Sequence, residues 1–415
     1  MADTVSGADA DLGELDLLDF RWHADGPPHA LFARMRVEAP VRRNVVRIYA
    51  EEQVVWSLTR HADIQAVSRD TETFSSHAGG VFIQDDQVFP LAVARNVLLY
   101  KDPPEHTKFR SILQSVFTPR AVRELEPMVR ARVTRALDAV IEAGECDFVA
   151  DVAVPVPLGV LTELMGVPDA DIPTFFRWTE EIEAAQRSLQ PAAALETLGA
   201  MGGYLHEQIQ LQAAAEADSL VQRMRAAEVD GEKLSDEEIL LFFGLLSFAG
   251  NDTTRNTASA GLRTLLEHPA VLAELREDPG LIEAAVEEVL RHTTVVQWFV
   301  RTATTDTEVG GQAIRAGEKL VMWYASGSRD EAVFDDPQAF DVHREKAPHM
   351  AFGGGGRHFC LGSAVARLEL RVLFEEVLRR MPDLALAGEP ERLVSSWANA
   401  HTTLPIRFTP GPREG

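Results

Sequence analysis

Residues 352–362 read Phe352-Gly353-Gly354-Gly355-Gly356-Arg357-His358-Phe359-Cys360-Leu361-Gly362. Four consecutive glycines cannot build a helix or a stable strand interior. They let the backbone turn tightly and approach something flat. Leu361, Val365, Leu368 and Val372 then recur at three and four residues, the period of a helix with one apolar face. Cys360 is therefore expected at or just before a helix N-terminus, where the dipole and free N–H groups favour a thiolate over a thiol. A rigid thiolate is a good soft ligand for a metal. The plainer reading is a small buried residue beside a turn. No second Cys or His stands at zinc spacing from it.

Length alone, 415 residues, would suggest two or three domains, although one large fold fits equally well. With 46% hydrophobic residues the chain can bury a large core. No apolar run of about 18 residues predicts a membrane span. The first 20 residues are acidic and lack the basic start of a signal peptide; they are expected to be disordered. Only two cysteines, Cys146 and Cys360, are present, which excludes a disulfide framework and fits a reducing cytoplasm. Cys146 lies in a turn-like Gly-Glu-Cys-Asp. A net charge of −24 argues against nucleic acid or an anionic membrane as partner.

Along the chain, residues 44–49 and 54–59 read as short strands and 61–70 as a helix. A long irregular stretch, 74–100, carries Val81, Phe82, Ile83 and Phe89. These suit either the wall of an apolar pocket or the private cluster of a surface loop. Pro103-Pro104-Glu105 marks a helix start, and His106 and Arg110 then share one helix face. Together they could clamp an anion; alone they could equally be solvated. Residues 119–225 are helix-rich.

A second long helix opens at Ser235 with a capping box and runs to about Glu267, roughly 48 Å at 1.5 Å per residue. Residues 239–248 are apolar nearly all round and are expected to be buried. Ala249-Gly250-Asn251-Asp252-Thr253-Thr254 follows at once. An acid and alcohols inside a buried helix cost several kcal/mol each without partners, so this is a candidate site. The small residues Ala249 and Gly250 would let a flat cofactor lie against the backbone. A kink with waters on the alcohols is the competing reading. Further on, Glu288 and Arg291 share a helix face, residues 295–301 are extended and apolar with Arg301 at the end, and 334–344 form a proline-marked meander.

Taken together, these stretches resemble the cytochrome P-450 family of haem-thiolate monooxygenases over about residues 50–410. The acid–alcohol helix, the Glu-x-x-Arg pair and the cysteine loop occur in the family's order. The resemblance implies a mainly α fold with small β-sheets. Haem b (iron protoporphyrin IX) would lie between the long central helix and the cysteine-loop helix, within one catalytic domain spanning 21–415. It implies that Cys360 ligates the iron. His106, Arg110, Arg301 and His358 would contact the haem carboxylates, and Ala249, Gly250, Phe352, Gly353 and Gly362 the rest of the cofactor. Phe352 stands eight residues before Cys360 where the family has seven, with Gly353 in the usual slot. Asp252 and Thr253 are implied to deliver protons to dioxygen. Glu288 and Arg291 are implied to be structural, with Arg344 as third partner. Val81, Phe82, Val295, Val296 and Phe299 would line the substrate pocket.

The activity implied is insertion of one oxygen atom from O2 into a hydrophobic molecule. The motifs are similar to those of actinobacterial members acting on steroids, methyl-branched lipids or terpenoids. Electrons would come from NAD(P)H through a separate reductase and ferredoxin, since no flavin or iron–sulfur domain is fused. Lys108, Arg357, Arg367 and Arg371 are the expected basic contacts for an acidic ferredoxin. A cytoplasmic monomer is expected. A peroxide-driven peroxygenase and a non-enzymatic haem sensor or carrier are the alternatives.

Overall fold

The computed structural model describes residues 12, 15–48, 51–84, 91–175, 177–178, 181, 191–214, 220–345 and 348–415. Helices dominate, with small sheets beside them. The largest sheet has five strands. The hairpin Val41–Ile48 and Glu51–Leu58 leads into Lys319–Trp323, then Trp298–Ala303 and finally Phe74–Ser75. Most of the expected disordered segment, residues 1–11, 13 and 14, lies outside the described residues. Leu12, Leu15 and Leu17, however, are buried in a cluster with Leu31, Phe32, Val46 and Trp323, because their apolar side chains add cover to that side of the sheet.

The central helix runs Asp236–Glu267 without interruption. Its start carries the expected capping box. The Glu238 N–H donates to Ser235 Oγ at 3.2 Å, and the Ser235 N–H donates to Glu238 Oε2 at 2.7 Å. Its alcohols are satisfied within the helix, each donating one turn back: Thr253 to the Ala249 carbonyl, Thr257 to Thr253, Ser259 to Arg255 and Thr264 to Ala260, all at 2.7–2.8 Å. Its apolar first half is buried on one side only. Ile239, Phe242 and Phe243 are buried, while Leu240, Leu241, Leu245 and Leu246 stay half-exposed. The full burial expected of residues 239–248 does not occur among the described side chains, because Leu240, Leu245 and Leu246 pack only at the edge of the cluster that holds Ile239, Phe242 and Phe243.

The second half of the helix packs Ala258, Leu262 and Leu265 against the helices Ile282–Thr293 and Ser363–Arg380 in the largest core cluster. The approach is close at Gly261, where an added Cβ would meet Val289 Cγ1 at 2.6 Å and Phe374 Cζ at 2.9 Å. Cys146 sits in the strand Glu145–Asp147 and not in a turn, because that segment pairs with Pro405–Arg407. Burial pushes its thiol up to about 12, which leaves it inert.

Glu288 and Arg291 form no surface pair. Their side chains are only 4% and 2% exposed, with Arg291 Nη2 on Glu288 Oε1 at 2.6 Å. Arg344 closes on the same carboxylate at 3.3 Å, as the Glu-x-x-Arg reading expected. Arg291 also donates to the carbonyls of Pro337 and Ala339, both at 2.8 Å. Glu288→Ala would leave two buried guanidiniums uncompensated. A loss of about 3–5 kcal/mol is expected, read as aggregation or a collapsed denaturant midpoint.

Glu369 is the opposite case. It is buried on the helix Ser363–Arg380 and Oε2 has no partner. Burial pushes its carboxyl up from 4.5 to about 8. A raised acid pKa means the folded state keeps a proton the unfolded chain releases. The resulting destabilisation starts near pH 4.5, grows with pH and levels off above about 8. Glu369→Gln removes it. Denaturation of both proteins at several pH values should show the variant's advantage growing across that window by up to about 1.4 kcal/mol per pH unit, and a flat difference would refute the burial argument.

Candidate active site

The cysteine loop is closed by its own backbone. The Cys360 N–H donates to the Phe352 carbonyl at 3.1 Å, and the Phe359 N–H to Gly356 at 3.2 Å. Gly353, Gly355 and Gly356 adopt φ of +93°, +88° and +77°, which only glycine takes without strain. The glycine run does not serve a flat ligand, as the sequence suggested. Gly354 and Gly356 lie on the helix His61–Arg69, where added Cβ atoms would meet Ser68 Cβ at 2.8 Å and Arg69 Cα at 2.9 Å. Ser68 Oγ donates to the Gly355 carbonyl at 2.9 Å. Only Gly353 and Gly362 are bordered by open space. The nearest atom to a Cβ at Gly353 is Tyr324 Oη at 3.9 Å, and none lies within 4 Å at Gly362.

Cys360 precedes the helix Ser363–Arg380 by three residues. It is exposed on its open side although protein crowds around it. Burial nonetheless pushes its thiol up. The N–H groups of Gly362 and Ser363 and the guanidiniums of Arg110 and Arg367 pull the other way without winning. Desolvation thus opposes the N–H groups of the helix start and the two guanidiniums at this thiol. A coordinated metal would remove that proton outright.

Phe352 is held despite its unusual spacing. The Arg367 guanidinium lies 4.5 Å over its ring, and Phe359 and His349 pack at 6.1 and 5.8 Å. Arg367 is in turn fixed by Glu287 at 2.5 Å.

A cationic group forms beside this loop. His106 and Arg110 come from the helix Glu105–Val116, Arg301 from the strand Trp298–Ala303 and His358 from the loop. The two imidazoles lie 4.2 Å apart. Burial, then Arg110 and Arg301, lowers His106 to about 4, and burial with Arg301 holds His358 well below the usual histidine range. Both rings are thus neutral, and the arginines carry the charge. Asp102 is occupied by the Ser76 N–H at 2.9 Å and by the Ser75 hydroxyl. His106 Nδ1 and Arg301 Nε are buried without a partner. These orphaned donors fit a ligand bearing carboxylates, and the exposed thiol fits its metal; the residues therefore suit a haem. Among the described residues no cluster of three or more His, Cys, Asp or Glu could form a metal cage.

On the central helix Ala249 is exposed and Gly250 half-exposed. Asp252 pairs with Arg255 at 3.2 Å, so the acid has the cationic partner its position required. Asn251, which sequence reasoning passed over, is fully buried with both amide atoms unpartnered.

The expected pocket residues divide. Val81 and Phe82 are buried because the Val300 N–H bonds the Val81 carbonyl and draws that segment onto the sheet, and Val295 is buried where its carbonyl accepts from the Asn399 N–H at 2.8 Å. Val296 and Phe299 keep open surface. Phe89 lies outside the described residues. Sequence reasoning also missed Trp397, whose ring packs on Phe82 at 5.9 Å and Phe299 at 6.2 Å. The Val296–Ala398 bridge and the flanking bonds from the Gln297 N–H to the Trp397 carbonyl and from the Asn399 N–H to the Val295 carbonyl, both at 2.8 Å, bring it there, and no local motif signals that.

The expected basic face is largely neutralised. Lys108 pairs with Glu232 at 2.9 Å, Arg367 with Glu287, and Arg371 with Glu126 at 2.6 Å and Glu375 at 2.7 Å. Arg357 donates to the Thr107 hydroxyl at 3.1 Å and has no carboxylate partner among the described residues. In a chain this acidic, nearby carboxylates claim the cations before a partner can.

A sequence model of the family described as Cytochrome P450 matches residues 195–279 and 280–382. A methyl-branched lipid omega-hydroxylase of Mycobacterium tuberculosis is 36% identical over 413 residues, 97% of this chain and 95% of that protein. A steroid C26-monooxygenase of Rhodococcus jostii is 34% identical over 394 residues, 92% of this chain and 82% of that one. Among solved structures, a Mycobacterium marinum cytochrome P450 in complex with pseudoionone is 36% identical with a TM-score of 0.82, covering 91% of this chain and 94% of that one.

Proposed function

The chain belongs to the cytochrome P450 family and is a monooxygenase, and from that premise we propose that it hydroxylates a steroid or methyl-branched lipid with O2. Electrons would reach it from NAD(P)H through a separate reductase and ferredoxin. Residues 21–415 act as one catalytic unit in this reading. The observation that carries it is the acid–alcohol pair, Asp252 and Thr253. Each is oriented by a partner, midway along a helix whose neighbouring face is small and open. A peroxygenase or a haem carrier has no need of that pair.

Bound haem supplies the iron at which dioxygen is activated, and thiolate ligation favours O–O cleavage. Cys360 is the thiolate. Arg110 and Arg301 would neutralise the haem carboxylates and neutral His106 would donate a hydrogen bond to one of them, while His358, whose ring already meets Ser76 and the Lys101 backbone, would pack beside them. Thr253 spends its proton on the Ala249 carbonyl, so its lone pairs face outward as an acceptor that orients a proton donor. Asp252, held by Arg255, carries protons in from the surface side. Adjacent helix residues point about 100° apart, so the two have separate roles. The rings of Phe299 and Trp397, with Val296 and the open leucines of the central helix, hold an apolar substrate and exclude water.

Two tests follow from this reading. Reduced protein exposed to carbon monoxide should show the strongly red-shifted Soret band of a thiolate-ligated haem, and Cys360→His should lose it. Retention of the band in Cys360→His would sink the ligand assignment. Secondly, Thr253→Ala should keep haem and substrate affinity but divert NADH to peroxide. Asp252→Asn should slow oxygen consumption by about 10²–10⁴-fold. NADH, peroxide and product measured together decide this. Wild-type coupling in both variants would favour the peroxygenase or carrier reading.

A further inference from the structure

Tyr324 begins the short helix Tyr324–Gly327, directly after the strand Lys319–Trp323. That strand pairs with Trp298–Ala303, setting Met322 against Phe299 and Leu320 against Arg301. The phenol is thereby carried to the junction of three parts of the site. Its ring meets Phe299 at 6.3 Å. Its hydroxyl lies 3.9 Å from where a Cβ on Gly353 would stand, seven residues before Cys360. Arg301 is close enough for its charge to act on the phenol.

The residue is only 4% exposed, and what surface its hydroxyl keeps lies beside Gly353, where among the described residues no group hydrogen-bonds it. A buried phenol normally finds a partner. Arg301 offers donors only, so it cannot take the phenolic proton. The carboxylate of Asp102 is committed to Ser75 and Ser76. Burial raises the phenol pKa, so the group is a neutral donor at any working pH. The adjoining Arg301 Nε is buried and unpartnered, so an anion that satisfied it would also stand within reach of a phenol that lacks an acceptor.

We propose that Tyr324 is a further cofactor-binding residue, donating its phenolic hydrogen bond to a haem carboxylate shared with Arg301. The inference rests on the haem reading above. The bond would offset part of the carboxylate's negative charge near the iron, and so tune the iron's potential as outer hydrogen bonds do at metal sites.

The test is Tyr324→Phe, which keeps the ring and its packing on Phe299. Haem release from ferric protein to excess apomyoglobin should accelerate by about tenfold or more, the worth of one hydrogen bond to a charged group. The midpoint potential should fall, because the less compensated carboxylate favours ferric iron. Thermal unfolding of the haem-free protein should not change. Wild-type release rate and potential in the variant would overturn the assignment. So would equal destabilisation of haem-free and haem-loaded protein with an unchanged potential, which marks a packing role. A wild-type chain that takes up no haem overturns this inference and the functional reading together, whereas haem uptake with an indifferent Tyr324→Phe overturns this inference alone.

Discussion

The Glu288 carboxylate receives two guanidiniums, Arg291 from its own helix and Arg344 from the meander that leads into the cysteine loop. Taking three charges out of water is expensive, and the arrangement holds only because the remaining donors are also filled, by the carbonyls of Pro337 and Ala339. The consequence is positional. The helix Ile282–Thr293 is locked to residues 337–344, and the loop that ends in Cys360 leaves from that fixed point. It is then pressed onto the helix His61–Arg69, where only glycines fit. The cysteine owes its place to these two contacts, neither of which touches it.

Charge is distributed with the same economy. The chain carries −24 overall, and cations such as Lys108, Arg130, Arg367, Arg371 and Arg379 are paired with its own carboxylates. Beside the cysteine loop the balance reverses, with Arg110 and Arg301 held in partly or fully desolvated positions against one committed aspartate. Unpaired cations survive burial only where an anion completes them. This local reversal suits an anionic ligand. Around Lys108, Arg367 and Arg371 the cations are met by Glu232, Glu287 and Glu126, so this face exerts weaker long-range attraction on an acidic surface than unpaired charges would.

The central helix reconciles polar groups with a hydrophobic setting by local means. Its alcohols bond backward to carbonyls one turn away, so the helix stays continuous where the sequence allowed a kink. Asn251 is the exception, with a whole amide unsatisfied next to Asp252. Such a residue is retained against a cost of a few kcal/mol, which sets it apart from the helix's other polar groups.

Local rules were enough for much of this protein. The capping box at Ser235, the start at Pro104, the cysteine-loop helix and the Glu-x-x-Arg face all follow from chemistry between residues a few positions apart, which a sequence displays directly. The order of the motifs carried the fold class and the identity of Cys360, His106, Arg110, Arg301, His358, Asp252 and Thr253 as the residues to watch. What required the tertiary structure was everything decided by partners distant in the chain. The glycines proved to serve a helix almost 300 residues earlier, Val81 and Val295 went into the core, and Trp397 and Tyr324 came to the site through strand pairing. The Cys360 thiol, too, was set by desolvation against its helix start. Burial and long-range pairing are properties of the assembled surface, and no window of sequence contains the atoms that determine them.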